Sequence, residues 1–204
     1  MKLLLRMELI FATKNLHKLR EIQNLAGGKN KIIGLGDIGF NSELPEDFET
    51  LEKNSSQKAW YVFNKLHKDC FADDTGLEVD VLNGSPGVYS ARYSRLEDDS
   101  FAKMEIDDGN ISKLLFKLQS FTNRKARFRT VISLILSGKE YQFEGIVNGV
   151  ILSEKWGKKG FGYDSVFLPD GYSKSFAQMS LQDKNKISHR SIALAKLIGF
   201  INDL

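Results

Sequence analysis

Residues 8–26 read ELIFATKNLHKLREIQNLA, and the change of period inside that stretch decides the fold class. Glu8-Leu9-Ile10-Phe11-Ala12 is an apolar run of strand length. After Thr13-Lys14-Asn15, the residues Leu16, Leu19, Ile22, Gln23 and Ala26 recur at helical spacing until Gly27-Gly28 stops them. A strand, a loop and a helix in direct succession are the opening unit of an α/β protein. A second helix is predicted over 50–66, where Ala59, Tyr61, Val62, Phe63 and Leu66 return on one face after Pro45. Cys70-Phe71-Ala72 reads as a short buried strand ending in a turn at Asp73-Asp74-Thr75-Gly76. Leu77 to Leu82 follows, then another turn through Asn83-Gly84-Ser85-Pro86-Gly87. Residues 97–109 read as acidic and irregular, and Asn110 is placed to cap a helix with Ile111, Leu114, Leu115 and Leu118 inward. Two strands, Ala126 to Leu136 and Tyr141 to Leu152, are joined by a hairpin turn at Ser137-Gly138, the second running through Asn148-Gly149. A glycine-rich loop, 157–162, precedes a terminal helix carrying Ile192, Leu194, Ala195, Leu197 and Ile198. Strands and helices interleave without repeats or a composition break, so residues 1–204 are read as a single α/β domain, with room for two lobes.

Composition narrows the function classes. With 204 residues, 42% hydrophobic and 27% charged, the chain can bury a proper core and is neither disordered nor low-complexity. A net charge of +3 does not mark a polyanion-coating protein, although it leaves room for a local basic pocket. One cysteine excludes an internal disulfide and a multi-cysteine metal site, and suits the cytosol. Arg6 and Glu8 interrupt the apolar start and no small-residue cleavage site follows, which speaks against a secretory signal. No window has the 18 or more apolar residues of a membrane span, so a soluble, cytoplasmic protein with no membrane partner is expected. Residues 1–6 read as an upstream extension or alternative start before the strand that Met7 introduces.

Several groups could carry chemistry. Lys18 stands in the first turn of a helix capped by Asn15, where the helix dipole disfavours a cation and an anion would reverse the sign. Thr13, Asn15 and Lys18 therefore form a candidate phosphate cradle, the plainer reading being a solvated lysine on an amphipathic helix. Asp73 and Asp74 at the mouth of an apolar strand are what Mg²⁺ uses when phosphate oxygens and water complete its octahedron. In a strand they point to opposite faces, one towards a site and one fixing the loop. The plainer reading is a pair of turn carboxylates, and Glu46 taken alone is a surface residue. Ser188-His189-Arg190 opens the terminal helix, again with cations at a positive helix end. Phe161-Gly162-Tyr163-Asp164 offers an aromatic face for stacking a base, or else a tight turn that buries Phe161. Cys70 with His67 is rejected as a nucleophile pair, because a lone cysteine on an apolar strand belongs to the core. Arg124, Lys125, Arg127, Arg129 and Phe128, with Lys155, Lys158 and Lys159 around Trp156, read either as a nucleic-acid surface or as a solvated face.

Taken together these segments resemble the inosine triphosphate pyrophosphatase family, also described as dITP/XTP pyrophosphatases. The likeness rests on residues 11–18 with Glu21, on Phe71 to Leu82, and on Asn83 to Tyr93. It continues in Ala126-Arg127-Phe128, Gly160 to Asp164, and Lys184-Asn185 through Ser188-His189-Arg190. The resemblance implies an elongated mixed central sheet flanked by helices, in two lobes with an active-site cleft between them. It also implies a homodimer that hydrolyses deaminated purine nucleoside triphosphates, (d)ITP and XTP, with Mg²⁺, to the monophosphate and pyrophosphate, without a nucleic-acid partner. By matching position, Thr13, Asn15, Lys18 and Lys58 would hold the triphosphate, Glu46 and Asp74 the metal, and Asp74 would act on the attacking water. Phe161 would stack the base; Thr75, Gly162, Tyr163, Asp164, Lys184, Ser188, His189 and Arg190 would complete substrate binding. Arginine donors suit a purine 6-keto group, which guanine shares with hypoxanthine and xanthine, and not adenine's 6-amino group.

The chain departs from the family pattern in places. Glu46-Asp47-Phe48 stands where glutamate-threonine-glycine is usual, and Lys53-Asn54-Ser55 where glutamate-asparagine-alanine is usual. Ser165 replaces a proline and Gln178 a glutamate. Lys14 stands where glycine or asparagine is common and would cost roughly 1–2 kcal/mol if the position were left-handed. Two alternatives remain: a Maf-type diphosphatase acting on pyrimidine nucleotides, and a non-enzymatic nucleic-acid binding module using the basic strand.

Overall fold

The computed structural model describes residues 8–26, 31–97 and 100–204. The readings made at residues 1–7, at Gly27-Gly28, and at Asp98 and Asp99 lie outside the described residues. Among the described residues the chain forms one mixed sheet ordered β2-β1-β3-β5-β6-β7, with β4 paired to β3 off this path. The strands are β1 (Glu8–Phe11), β2 (Lys31–Gly34), β3 (Cys70–Val79), β4 (Pro86–Gly87), β5 (Lys125–Leu136), β6 (Lys139–Ile151) and β7 (Phe167–Pro169). The α-helices are α1 (Leu16–Ala26), α2 (Leu51–Leu66), α3 (Ile106–Lys117), α4 (Leu181–Ile187) and α5 (His189–Asn202). β1 runs parallel to β2 and to β3, while β4 and β7 are antiparallel to β3 and β6. The α/β class is what the opening strand and helix predicted, and the mixed sheet is what the family resemblance implied.

Two compact units divide the chain, which passes between them within β3, β5 and β6 and at the junction of α4 and α5. Unit 1 comprises the described residues up to Asp74, Thr130–Gly145 and His189–Leu204. Its β1 alternates strictly: Leu9 and Phe11 enter a core with Ile22 of α1 and Ala193, Leu194 and Leu197 of α5, whereas Ile10 and Ala12 enter another with Ala59 and Val62 of α2. β3 repeats the pattern, with Phe71 on the α1/α5 side, stacked 4.6 Å from Phe11, and Cys70 and Ala72 on the α2 side. A period of two on a sheet covered on both faces dictates this split. Unit 2 comprises Thr75–Arg129 and Ile146–Ser188. Its core gathers Leu77 and Val79 of β3, Ile111 and Leu114 of α3, and the aromatic trio Phe128, Phe167 and Phe176.

Two local expectations are corrected, three short elements had no counterpart among the expectations, and one conditional penalty does not apply. Asp73-Asp74-Thr75-Gly76 is not a turn, because β3 runs unbroken through it. Gly76 serves a close approach instead, since a Cβ there would stand 2.7 Å from the carbonyl oxygen of Gly87 on β4. The helix assigned to Asn110 as cap begins at Ile106. Asp107 and Asp108 sit in its first turn, where the dipole favours carboxylates, and Asn110 is buried mid-helix, accepting from Ser94 N and donating to Ala91 O. The four-residue β2, three-residue β7 and seven-residue α4 carry too few residues to show a period, and the reading passed over them. Finally, Lys14 has no positive φ: among the described residues only His67, Asn83 and Ser137 do so outside glycine, so the condition for its penalty is not met. The predicted hairpin turn is present, at Ser137 (φ 50°) and Gly138 (φ 75°).

Candidate active site

In unit 1 the alternation of β3 separates the two adjacent carboxylates. Asp73 follows Phe71 to the α1/α5 side and Asp74 follows Ala72 to the α2 side. On the first side Lys18 Nζ reaches Asp73 at 3.0 Å, Arg190 Nε donates to Asp73 Oδ2 at 3.3 Å, and Arg190 Nη1 pairs with Glu21 Oε2. Arg190 and Asp73 are each only 1% exposed. Burial pushes the Asp73 carboxyl up, but Lys18, Arg190 and Lys58 outweigh it and hold the group well below the usual carboxylate range. The two cations placed at helix N-termini therefore converge on one internal carboxylate, which supplies much of the anion their positions call for.

On the α2 side Lys58 Nζ donates to Glu46 Oε1 at 2.6 Å and to Asp74 Oδ1 at 3.0 Å. Asn54, one turn earlier on the same helix face, accepts from Phe48 N and donates to Phe48 O, both at 2.9 Å, and its Nδ2 reaches Asp74 Oδ2 at 3.4 Å. Gln57 clamps Asp47 from both directions. Burial raises the Asp74 carboxyl above its ordinary value against the pull of Lys58 and Lys18, and the like charge of Glu46 adds to the rise. Burial also opposes the charge on Lys58, yet Asp74, Glu46 and Asp73 outweigh it and raise the ammonium. Burial thus favours the neutral form of Asp74, beside a lysine held charged.

The cap that Asn15 was expected to make at the start of α1 is present. Asn15 Oδ1 accepts from His17 N and Lys18 N at 2.9 and 3.2 Å, and Thr13 Oγ1 accepts from Asn15 N at 3.2 Å. Lys14 turns away to Glu43 and Asn41. Cys70 is buried and its thiol is pushed up to about 12 by that burial, in keeping with its rejection as a nucleophile.

Glu46 and Asp74 fit a small hard cation by the chemistry of the donors. Both are carboxylates, and both lie within hydrogen-bond distance of one nitrogen, so their oxygens can share one ion. Among the described residues no cluster of three or more His, Cys, Asp or Glu offers a closed cage. Mg²⁺ needs none, since it binds through one or two carboxylates with waters and phosphate oxygens.

In unit 2 the Phe161 loop is organised by Asp164. Its Oδ2 accepts from Phe161 N at 3.1 Å and from Lys184 Nζ at 2.7 Å, and that ammonium lies 5.2 Å from the centroid of Phe161 and 5.5 Å from that of Phe176. Gly162 N donates to Asp107 Oδ2. Tyr163 is core, its hydroxyl donating to Ser90 O at 3.1 Å, and burial raises its pKa. Phe161 is half-buried, Thr75 likewise, and Ser188 is buried with its N–H on Lys184 O. His189, the first residue of α5, is buried in unit 1.

The basic stretch is largely compensated. Arg127 and Arg129 face Glu78 at 2.6 and 3.8 Å, Lys155 pairs with Asp108, and Arg124 donates to the carbonyls of Leu118, Ile151 and Leu152. Sequence reasoning assigned no role to Asn54 or Glu21. The spacing of Asn54 four residues before Lys58 was the available signal for the first; Glu21 was visible as part of the family motif, but its partner lies 169 residues away, beyond any local pattern.

Comparison with known proteins places this geometry in a family. The Ham1 family model matches residues 9–200. A dITP/XTP pyrophosphatase of Christiangramia forsetii is 48% identical over 196 residues, covering 96% of this chain and all of the relative. One from Porphyromonas gingivalis is 47% identical, covering 95% and 97%. Among solved structures, the Ham1 protein of Staphylococcus aureus superposes with a TM-score of 0.82 at 36% identity, over 96% of this chain and 98% of that one. A HAM1 protein from Coxiella burnetii gives 0.83 at 30% identity, over 97% and 100%. The chain belongs to the Ham1 family, and the resemblance read from its motifs extends from residue 9 to residue 200.

Proposed function

We propose that the protein is a Mg²⁺-dependent pyrophosphohydrolase of deaminated purine nucleoside triphosphates, dITP, ITP and XTP, releasing the monophosphate and pyrophosphate as a cytoplasmic homodimer. One observation carries the reading: 48% identity across the full length of a relative named dITP/XTP pyrophosphatase. The charge arrangement supports it. Thr13, Asn15, Lys18 and Lys58 are assigned to the triphosphate, and Phe161, with the loop held by Asp164 and Lys184, to the base. Lys18 and Lys58 are already paired with carboxylates, so a polyanionic substrate needs a further positive charge against Glu46 and Asp74. Mg²⁺ held by Glu46 and Asp74 would neutralise charge on the phosphate oxygens. Asp74 orients the attacking water or takes its proton as oxygen attacks the α-phosphorus. The bond from the α-phosphorus to the bridging oxygen breaks, and the lysines stabilise charge on the departing pyrophosphate. The compartment rests on a single buried thiol that needs no oxidising environment, and the dimer on the family resemblance. Among the described residues no helix is long and apolar enough to cross a membrane.

The test is a hydrolysis panel of dITP, ITP and XTP against ATP, GTP, dTTP and UTP, with Mg²⁺ or EDTA, detecting pyrophosphate separately from phosphate. Pyrophosphate from the deaminated purines alone, lost in EDTA, is expected; turnover of pyrimidine nucleotides instead would move the assignment to a Maf-type activity. Asp74→Asn should lower kcat by about 10²–10⁴-fold in a folded protein, and wild-type turnover by that variant would remove the assigned base.

A further inference from the structure

We propose that Lys58 is an exchangeable counter-ion: in the nucleotide-free protein its ammonium occupies the place between Glu46 and Asp74 that a divalent cation takes, and entry of that cation displaces it. This exchange rests on the reading of Glu46 and Asp74 as the metal ligands. The same Nζ that lies 2.6 Å from Glu46 and 3.0 Å from Asp74 is 4% exposed as a residue, so its charge is neutralised by those two carboxylates and little by water. A cation and an ammonium cannot share two oxygens at contact distance without strong repulsion, so one must leave. Lysine is suited to leaving, because it is a point charge on a four-carbon stem whose backbone stays in α2.

The frame around the pair does not depend on Lys58. Asn54 ties the backbone of Phe48 to Asp74, and Gln57 holds Asp47, so the Glu46 loop and β3 stay in register when the ammonium moves. Both clamps come from α2: Asn54, the usual residue at its position, holds the backbone of Phe48, and Gln57 holds the side chain of Asp47, a residue at which the loop departs from the usual family pattern. The exchange has two consequences. The resting site has low affinity for a free divalent cation, and the displaced ammonium becomes available to a phosphate oxygen when the nucleotide arrives with its metal. A lysine that merely braces the carboxylates would have the opposite signature, since its loss would loosen them and weaken metal binding.

The experiment titrates the full-length, nucleotide-free protein with Mn²⁺ and reads free Mn²⁺ by electron paramagnetic resonance. Lys58→Met should bind Mn²⁺ at least about tenfold more tightly than wild type, Lys58→Arg should stay close to wild type, and Lys58→Met with Glu46→Gln should lose the gain. A Lys58→Met protein that binds no more tightly than wild type overturns the exchange. A second readout needs no variant: reductive methylation of the Lys58 amine, followed by mass spectrometry, should speed up several-fold when saturating Mn²⁺ is added without nucleotide. An unchanged rate overturns the exchange as well. If Mn²⁺ binds none of these proteins even with a non-hydrolysable dITP analogue, the metal reading itself falls and takes the exchange with it. If Mn²⁺ binds wild type with the analogue and Lys58→Met shows no gain, only the exchange falls.

Discussion

Neutralising the two neighbouring carboxylates one at a time should have opposite effects on stability and activity. Asp73→Asn removes the carboxylate that serves Lys18 and Arg190, both largely out of water. Arg190 keeps Glu21, whereas Lys18 loses the carboxylate at 3.0 Å, so the cost is that of breaking one buried pair, about 3–5 kcal/mol. For a chain of this size that corresponds to a fall in Tm of roughly 6–20 °C. Asp74→Asn leaves Lys58 its Glu46 partner at 2.6 Å, and burial already disfavours the Asp74 charge, so it should cost about 1 kcal/mol or less while removing turnover. The assay is urea unfolding of wild type and both variants, comparing midpoints at matched m-values so that two-state behaviour is checked in each. The pH dependence gives the sign. The folded pKa of Asp73 lies below its ordinary 3.8, so its stabilisation is fully present above that value and is lost as pH falls towards the folded pKa. The gap between wild type and Asp73→Asn should therefore be flat from pH 7 to about 5 and close below about pH 4. The folded pKa of Asp74 is raised, so its ionisation opposes folding, and Asp74→Asn should gain on wild type as pH rises above the ordinary 3.8 towards that raised folded pKa. A loss under about 1 kcal/mol for Asp73→Asn, or equal losses for the two variants, would refute the face assignment.

Three further outcomes follow from the same geometry. Phe161→Ala should lower kcat/KM for dITP by the worth of one stacked base, about 1–3 kcal/mol or roughly 5–150-fold, and an unchanged kcat/KM would remove the stacking role. Gly160→Ala places a Cβ 2.0 Å from Asp164 Oδ2 at a residue with φ +77°, so it should displace the Asp164–Lys184 pair and cost more than about 2 kcal/mol by thermal melt; retention of wild-type Tm would contradict the loop geometry. Arg127→Ala removes an exposed pair with Glu78 and should cost less than about 1 kcal/mol, while steeply salt-dependent oligonucleotide binding that this variant abolishes would revive the nucleic-acid reading.

Much of unit 1 was legible because its signals are local. The switch from strand to helical period at Asn15, the cap that Asn15 makes, and the stripe on α2 all depend on neighbours within a few residues. The opposite orientation of Asp73 and Asp74 followed from the period of a strand. The error at the same place is instructive. Asp-Asp-Thr-Gly has turn chemistry, and only cations from three other elements make it affordable as a buried strand. One of them, Arg190, lies 117 residues from Asp73, beyond any window of local pattern. Asn110 misled in the same way, since a residue that caps helices when exposed was taken up by the backbone of Ala91 and Ser94 once buried.

The sequence by itself determined the α/β class, the Asn15 cap at the start of α1 and the family, because periodicity, capping and ordered motifs are written in contiguous residues. Tertiary structure alone decided which charges meet: Lys18 and Arg190 on Asp73, Lys58 between Glu46 and Asp74, and Lys184 on Asp164. The physical reason is that a buried charge is tolerated only where an opposite one is brought to within a few ångströms, and the partners that achieve this come from distant parts of the chain, joined by the sheet and the helices packed on it.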